Sequence, residues 1–318
     1  MERTRVKVYQ RPNVLPLSLA AFFNDTGADM LFAFYPMFLV LVVGVTDMRL
    51  FGIIETIALL FGLLIRPFTG FLADKRGRRH FIWIGYLFLA GSRALQSIAQ
   101  LWWHIVPPKI MYEVGRALRN PPREALLAES VSQDERGLAF GILGSMDTLG
   151  AVIGPLLGIG AFHMFVGMGI DPAVAIRHVL LIAALPTFIS VFIILTKTRE
   201  VRTFATTRRA SDGNPHQSTQ RNASGFQHIL RYRNLLMFTA ISCLFSLWAA
   251  TENFMMVCGF RVLGIDKTSL AQVWVMVLLY WFINITFAPT ALISGKLSDK
   301  YGRKMQLVLG LITLSFLT

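Results

Sequence analysis

The chain has 318 residues, 54% of them hydrophobic and only 15% charged, with a mean hydropathy of +0.55. That is far more apolar than a soluble domain needs, so the sequence predicts an all-α integral membrane protein embedded in a lipid bilayer. The net charge of +13 does not point to nucleic acid, because Lys and Arg sit in short segments between apolar runs, where a one-sided topological bias accounts for them.

A helix needs about 20 residues to cross the hydrocarbon, and on that measure spans are predicted near 14–43, 49–73, 80–100, 102–118, 137–166, 174–196, 234–262 and 271–295, with a ninth beginning near Met305. The basic start, Met1 to Arg11, precedes an apolar stretch too long for a signal-peptide core, so a retained first helix is expected. Arg3, Arg5, Lys7 and Arg11, then Lys75 to Arg79, Arg116 to Arg136, Lys197 to Arg233 and Lys296 to Lys304, carry the positive charge of alternate loops. This predicts a multi-pass protein of the plasma (inner) membrane with a cytoplasmic amino terminus.

The segment 197–233 is rich in Arg, Ser, Thr, Asn and Gln and reads as a cytoplasmic linker. It divides an N-terminal six-helix half, 1–196, from a partial second half, 234–318. The stretch from Met305 to Thr318 is too short for a full crossing, so a fragment or incomplete product of a twelve-helix design is expected. Cys243 and Cys258 are the two cysteines; both fall in one predicted span, which rules out a disulfide framework. Without a Walker-type phosphate loop, a paired-histidine zinc motif or Cys-x-x-Cys, no enzyme chemistry, cofactor or metal is predicted.

Charges inside the spans stand out, since each costs about 2.5–3.5 kcal/mol near the bilayer centre on insertion scales. At 1.5 Å per residue, Asp25 lies about 16 Å from the start of its span and Asp29 one turn further on the same face. Burial favours the protonated carboxyl, so Asp25 is the first candidate for a proton carrier. A helix-to-helix hydrogen bond made by Asn24 and Asp25 is the plainer alternative. Asp147, about ten residues into the fifth span, is comparable; Glu55 and Glu252, the latter with Asn253, are weaker. Arg66, Arg93, Lys109, Glu113 and Arg116 complete the set. Spacing favours local pairing of Lys109 with Glu113 and of Glu113 with Arg116, while Pro107-Pro108 argues for a break or a shifted start. Trp102 and Trp103 read as interface anchors.

Two copies of one turn separate predicted helices: Gly70-Phe-Leu-Ala-Asp74-Lys-Arg-Gly77-Arg78-Arg79 and Gly295-Lys-Leu-Ser-Asp299-Lys-Tyr-Gly302-Arg303-Lys304. In the first, Gly70 would allow close helix contact, Asp74 would accept hydrogen bonds and Gly77 would permit a tight turn. The fifth span carries Gly141 and, nine residues on, Gly150, Gly154-Pro155 and Gly158; the last three glycines recur every four positions on one face and Pro155 can bend the helix, an arrangement expected to serve close packing or to prevent leak.

The repeated turn resembles the conserved loop of the major facilitator superfamily, found between helices 2 and 3 and again between 8 and 9, and the fifth-span glycines resemble the antiporter motif of its exporters, with Ile159 interrupting the terminal glycine pair. Phe22-Phe-Asn24-Asp25-Thr26 and Gly115-Arg116-Ala-Leu-Arg119-Asn-Pro-Pro122-Arg123-Glu124, with Asp147 following, are similar to a bacterial drug-efflux-like branch. The resemblance implies the major facilitator fold. It makes Asp74, Arg78, Asp299 and Arg303 a gating network joining two halves, and Arg116, Arg119 and Arg123 a cytoplasmic charge network.

The expectation is a secondary active transporter, a proton-coupled antiporter exporting a small hydrophobic or amphipathic compound, with Asp25, Asp29, Asp147 and Glu252 as proton-coupling candidates. An importer or uniporter of a small metabolite, or a truncated non-transporting membrane protein, are the alternatives.

Overall fold

The computed structural model describes residues 8–45 and 47–201, with scattered positions between 237 and 305. The chain divides into two units, Met1–Val201 with Leu270–Thr318, and Arg202–Ser269; the helices described below belong to the first. Among the described residues there is no strand. The helices are α1 (Val14–Met37), α2 (Met48–Arg76), α3 (Arg78–Ser97), α4 (Val106–Glu129), α5 (Arg136–Gly167), α6 (Pro172–Ile182) and α7 (Ala184–Lys197). Cys243, Cys258, Glu252, Gly295, Asp299 and Arg303 lie outside the described residues.

Local chemistry sets the boundaries. Asp47 accepts from the Arg49 amide at 2.8 Å to open α2, and Asp171 accepts from Ala173 at 2.8 Å to open α6, with Pro172 in the first turn. Gly77, at φ +100°, both ends α2 and begins α3, a backbone conformation open to residues without a Cβ. α1 passes into a π-helical turn at Phe38–Val42. Among the described residues, three segments, Arg49–Arg76, Gln133–Gly167 and Pro172–Lys197, are long and apolar enough to cross a membrane. The last contains both α6 and α7, which part at Ala183; nearby Pro186 has no N–H to continue the ladder.

The fourth span differs from its expected limits. Trp102–Ile105 forms a short 3-10 turn, and Pro107 and Pro108 sit in the first turn of α4, where missing N–H groups cost nothing. The helix then continues through Pro121 and Pro122 to Glu129. The expected loop from Arg116 to Arg136 is therefore largely helix. Arg119 and Arg123 become buried members of α4, because its amphipathic face turns its charges inward.

α1 packs most extensively on α5 and also on α7, while α4 packs on α3 and α2. At the end where α1 begins, Leu17, Ile82, Tyr86, Leu126 and Ile194 form a core drawn from α1, α3, α4 and α7. Burying such side chains contributes about 1.5–3 kcal/mol each in water; in a membrane the gain comes from packing. Ser190 Oγ donates to the Ala20 carbonyl at 2.7 Å, tying α7 to α1. Arg11 pairs with Glu135 at 3.0 Å, tying the stretch before α1 to the turn that leads into α5.

Candidate functional site

The α1–α5 contact brings the interior carboxylates together. A Cβ built on Gly150 would stand 2.4 Å from the Phe22 carbonyl and 3.2 Å from Asp25 Cβ; one on Gly154 would stand 2.4 Å from the Thr26 carbonyl and 3.2 Å from Asp29 Cβ. A third, on Gly158, would meet Phe34 at 2.9 Å. The fifth-span glycines thus give a backbone-to-backbone approach that no larger residue permits. Gly141 and Pro155 are buried in the same helix, which runs unbroken through Pro155.

Asp25 and Asp147 each lie eleven residues from the start of their helices, about 16 Å along the axis. They face one another within hydrogen-bonding reach. Arg123 Nη1 approaches Asp147 Oδ1 at 3.5 Å. On the other side, Asn24 Nδ2 donates to Asp25 Oδ1 at 2.5 Å, and Arg93 Nη2 donates to Asn24 Oδ1 at 3.2 Å. Arg93 is 1% exposed. Arg119 Nε donates to Asn120 Oδ1 at 2.9 Å, and its guanidinium lies 5.0 Å over the Tyr86 ring. Asp25, Asp29 and Asp147 are half-buried, with the arginines behind them. Both residues thus reach another helix, Asn24 through Arg93 on α3 and Asp25 through Asp147 on α5.

A second ionic group lies nearer the opposite end of the bundle. Lys109 Nζ pairs with Glu55 Oε1 at 2.6 Å, linking α4 to α2, and stands 4.7 Å from the Tyr35 ring and 5.7 Å from the Tyr112 ring. This corrects the expected pairing of Lys109 with Glu113. Glu113 instead pairs with Arg116 at 3.2 Å, as its spacing predicts. Lys109 is drawn across because Glu55 projects from α2 at its level, and a buried ammonium gains from the aromatic faces as well as from the carboxylate.

The turn between α2 and α3 forms the third feature. Arg78 pairs with Asp74 at 2.9 Å and with Glu129, at the end of α4, at 2.5 Å. Glu200, just past α7, accepts the Arg78 and Arg79 amides at 2.8 and 3.0 Å, one on each carboxylate oxygen. Its negative charge sits at the α3 amino terminus, where orphan N–H groups and the helix dipole favour it. Arg79 donates to the Ile194 and Leu195 carbonyls at the end of α7. A Cβ on Gly70 would meet nothing within 4 Å, so the close contact expected there is not made among the described residues. In the second copy, Gly302 adopts φ +89°.

The residues missed by sequence reasoning are the partners contributed by distant elements. Glu129 and Glu200 lie in charged stretches without spacing relative to Arg78, and Tyr35 is one aromatic among many. A helical reading of 106–129 would have placed Arg119 and Arg123 one turn apart on the face carrying Arg116.

The family model described as Major Facilitator Superfamily matches residues 17–318. An uncharacterised MFS-type transporter of Methanocaldococcus jannaschii is 26% identical over 94% of this chain and 69% of its own length. Multidrug resistance protein MdtH of Klebsiella pneumoniae is 40% identical over 29% of this chain, and this chain spans 23% of it. Multidrug resistance protein MdtG of Serratia proteamaculans is 29% identical over 46% of this chain and 36% of its own length.

Proposed function

The chain belongs to the major facilitator superfamily, a family of multi-pass membrane transporters, and from that premise we propose that it acts as a proton-coupled antiporter exporting a small hydrophobic or amphipathic compound across the inner membrane, amino terminus in the cytoplasm. The observation that carries this reading is the Asp25–Asp147 carboxylate pair, set about 16 Å into two closely packed helices.

Two carboxyls in contact inside an apolar bundle favour sharing at least one proton, because two ionised oxygens at that range repel strongly. A proton held there can leave when substrate or conformational change exposes the pair. Arg123 steadies the ionised state of Asp147 that remains after release. Alternating access then moves the pair between the two sides. The Arg78 network with Asp74 and Glu129 sits at one mouth of the bundle and biases which side is open. The resemblance of the Gly150, Gly154 and Gly158 contact to an exporter motif favours efflux, as do the multidrug resistance relatives.

The test uses the protein as it occurs in its source membrane, in inverted vesicles carrying an imposed proton gradient. Amphipathic dyes are added in turn, and collapse of the gradient is followed. We expect at least one dye to discharge it, and Asp25→Asn or Asp147→Asn to abolish that discharge. Undiminished discharge in both variants would remove the proton site from this pair.

A further inference from the structure

Behind the carboxylate pair lies a buried cation with one hydrogen-bonding hand committed and one free. Arg93, on α3, gives Nη2 to Asn24 Oδ1 at 3.2 Å. Its Nη1 is buried without a partner among the described residues. That nitrogen lies 2.9 Å from a Cβ built on Gly27, beside the Thr187 hydroxyl and the Ala183 carbonyl at the α6–α7 junction. Gly27 leaves the space that lets the guanidinium reach α1.

Asn24 has a two-faced side chain: its carbonyl only accepts and its amino group only donates. Which face meets Asp25 is decided by what the other face meets. Arg93 can only donate, so it claims Oδ1 and leaves Nδ2 pointing at Asp25, where the 2.5 Å contact is made. A donor there supports a carboxylate; a carbonyl there would require a carboxylic acid. We propose that Arg93 is a positioning residue of the proton site, acting through the orientation of the Asn24 amide to set which protonation state of Asp25 the site accepts. This inference rests on the proton-coupled reading of the Asp25–Asp147 pair and deepens it.

Other charges face Asp25 and bear on the test. Arg116 and Arg123 approach it from α4, and Asp147 from α5. Asp25 itself lies in the field of Arg93, as do Tyr112, Arg119 and Asp29, the last of which shares α1. The Asn24 amide bonds to Asp25 on one face and to Arg93 on the other. Changing Asn24 alone keeps every one of these charges in place and tests the path through the amide.

The experiment is a pH titration of the purified full protein by infrared difference spectroscopy, reading the carbonyl band of the protonated carboxyl and needing no substrate. The Asp25 band is the one lost in Asp25→Asn. In Arg93→Met and in Asn24→Leu its midpoint should move to higher pH by at least about one unit, the size expected when a charge-assisted contact to a carboxylate is removed. Arg93→Lys, which keeps a pure donor, should stay near the native midpoint. The double variant Arg93→Met/Asn24→Leu should shift no further than the larger single change, since both act along one path. Circular dichroism confirms that each variant is folded, and a merely structural Arg93 would alter stability without moving the midpoint.

An unmoved midpoint in folded Arg93→Met and Asn24→Leu overturns the inference. So does a shift in Arg93→Met with none in Asn24→Leu, which would mean a direct field effect. If Asp25→Asn removes no band at all, it is the proton-site reading itself that fails.

Discussion

Lys109 shows what a single charge inside the bundle demands. It is held by Glu55 and two tyrosine rings, so Lys109→Met leaves the Glu55 carboxylate facing apolar surroundings. The loss should be about 1–3 kcal/mol, moderated because the Glu55 side chain keeps 28% of its exposure. Removing both charges in Lys109→Met/Glu55→Met should recover most of it, since replacing a buried pair by apolar groups is often nearly neutral. Thermal unfolding in detergent measures both; a double variant no more stable than Lys109→Met would contradict the pairing. At the other end of the bundle, Glu200→Ala removes the carboxylate that receives the Arg78 and Arg79 amides. Loss of such a cap costs about 0.5–2 kcal/mol locally. Hydrogen exchange at those two amides should speed up while exchange in the middle of α3 stays unchanged, and equal rates before and after would show that Glu200 does not cap the helix.

The decisive contact between elements is α1 on α5, and it depends on residues that lack side chains. A methyl group on Gly154 would stand 2.4 Å from a backbone carbonyl, and backbone cannot swing aside as a side chain can. Gly154→Ala should therefore cost about 1–3 kcal/mol by overpacking, and Gly160→Ala, with open space around it, close to nothing. Equal melting temperatures for the two variants would contradict this α1–α5 register. The contact was legible in the sequence because glycines every four residues leave one reading at helical period. The end of α4 was not legible. Pro121-Pro122 and the arginines around them look like a solvated loop, and only a neighbouring helix that supplies Asp147 makes burying Arg123 tolerable. Lys109 failed for a related reason: spacing along one helix names Glu113, whereas the nearer partner came from α2. Asp25 and Asp147 were each visible as charges inside apolar spans, but that they meet follows from the Gly150 register, which spacing alone does not supply.

At the scale of the whole molecule, the proposed mechanism divides the work between a proton-binding pair in the interior of a major facilitator protein and an ionic latch at the turn between α2 and α3. The two have different consequences. In this proposal the latch biases which side is open, whereas the carboxylate pair ties substrate movement to the proton gradient, and a ligand shifts such an equilibrium only by its differential affinity for the two states. A variant lacking the proton should therefore still exchange substrate between the two sides while losing the ability to concentrate it. The most direct measurement compares these two activities for one amphipathic dye in liposomes holding the protein as it occurs in its source membrane. One assay follows transport driven by an imposed pH gradient, and the other follows exchange of dye for dye without a gradient. Proton coupling through this pair predicts that Asp25→Asn and Asp147→Asn keep the exchange and lose gradient-driven transport. Gradient-driven transport at the native rate in both variants would contradict it.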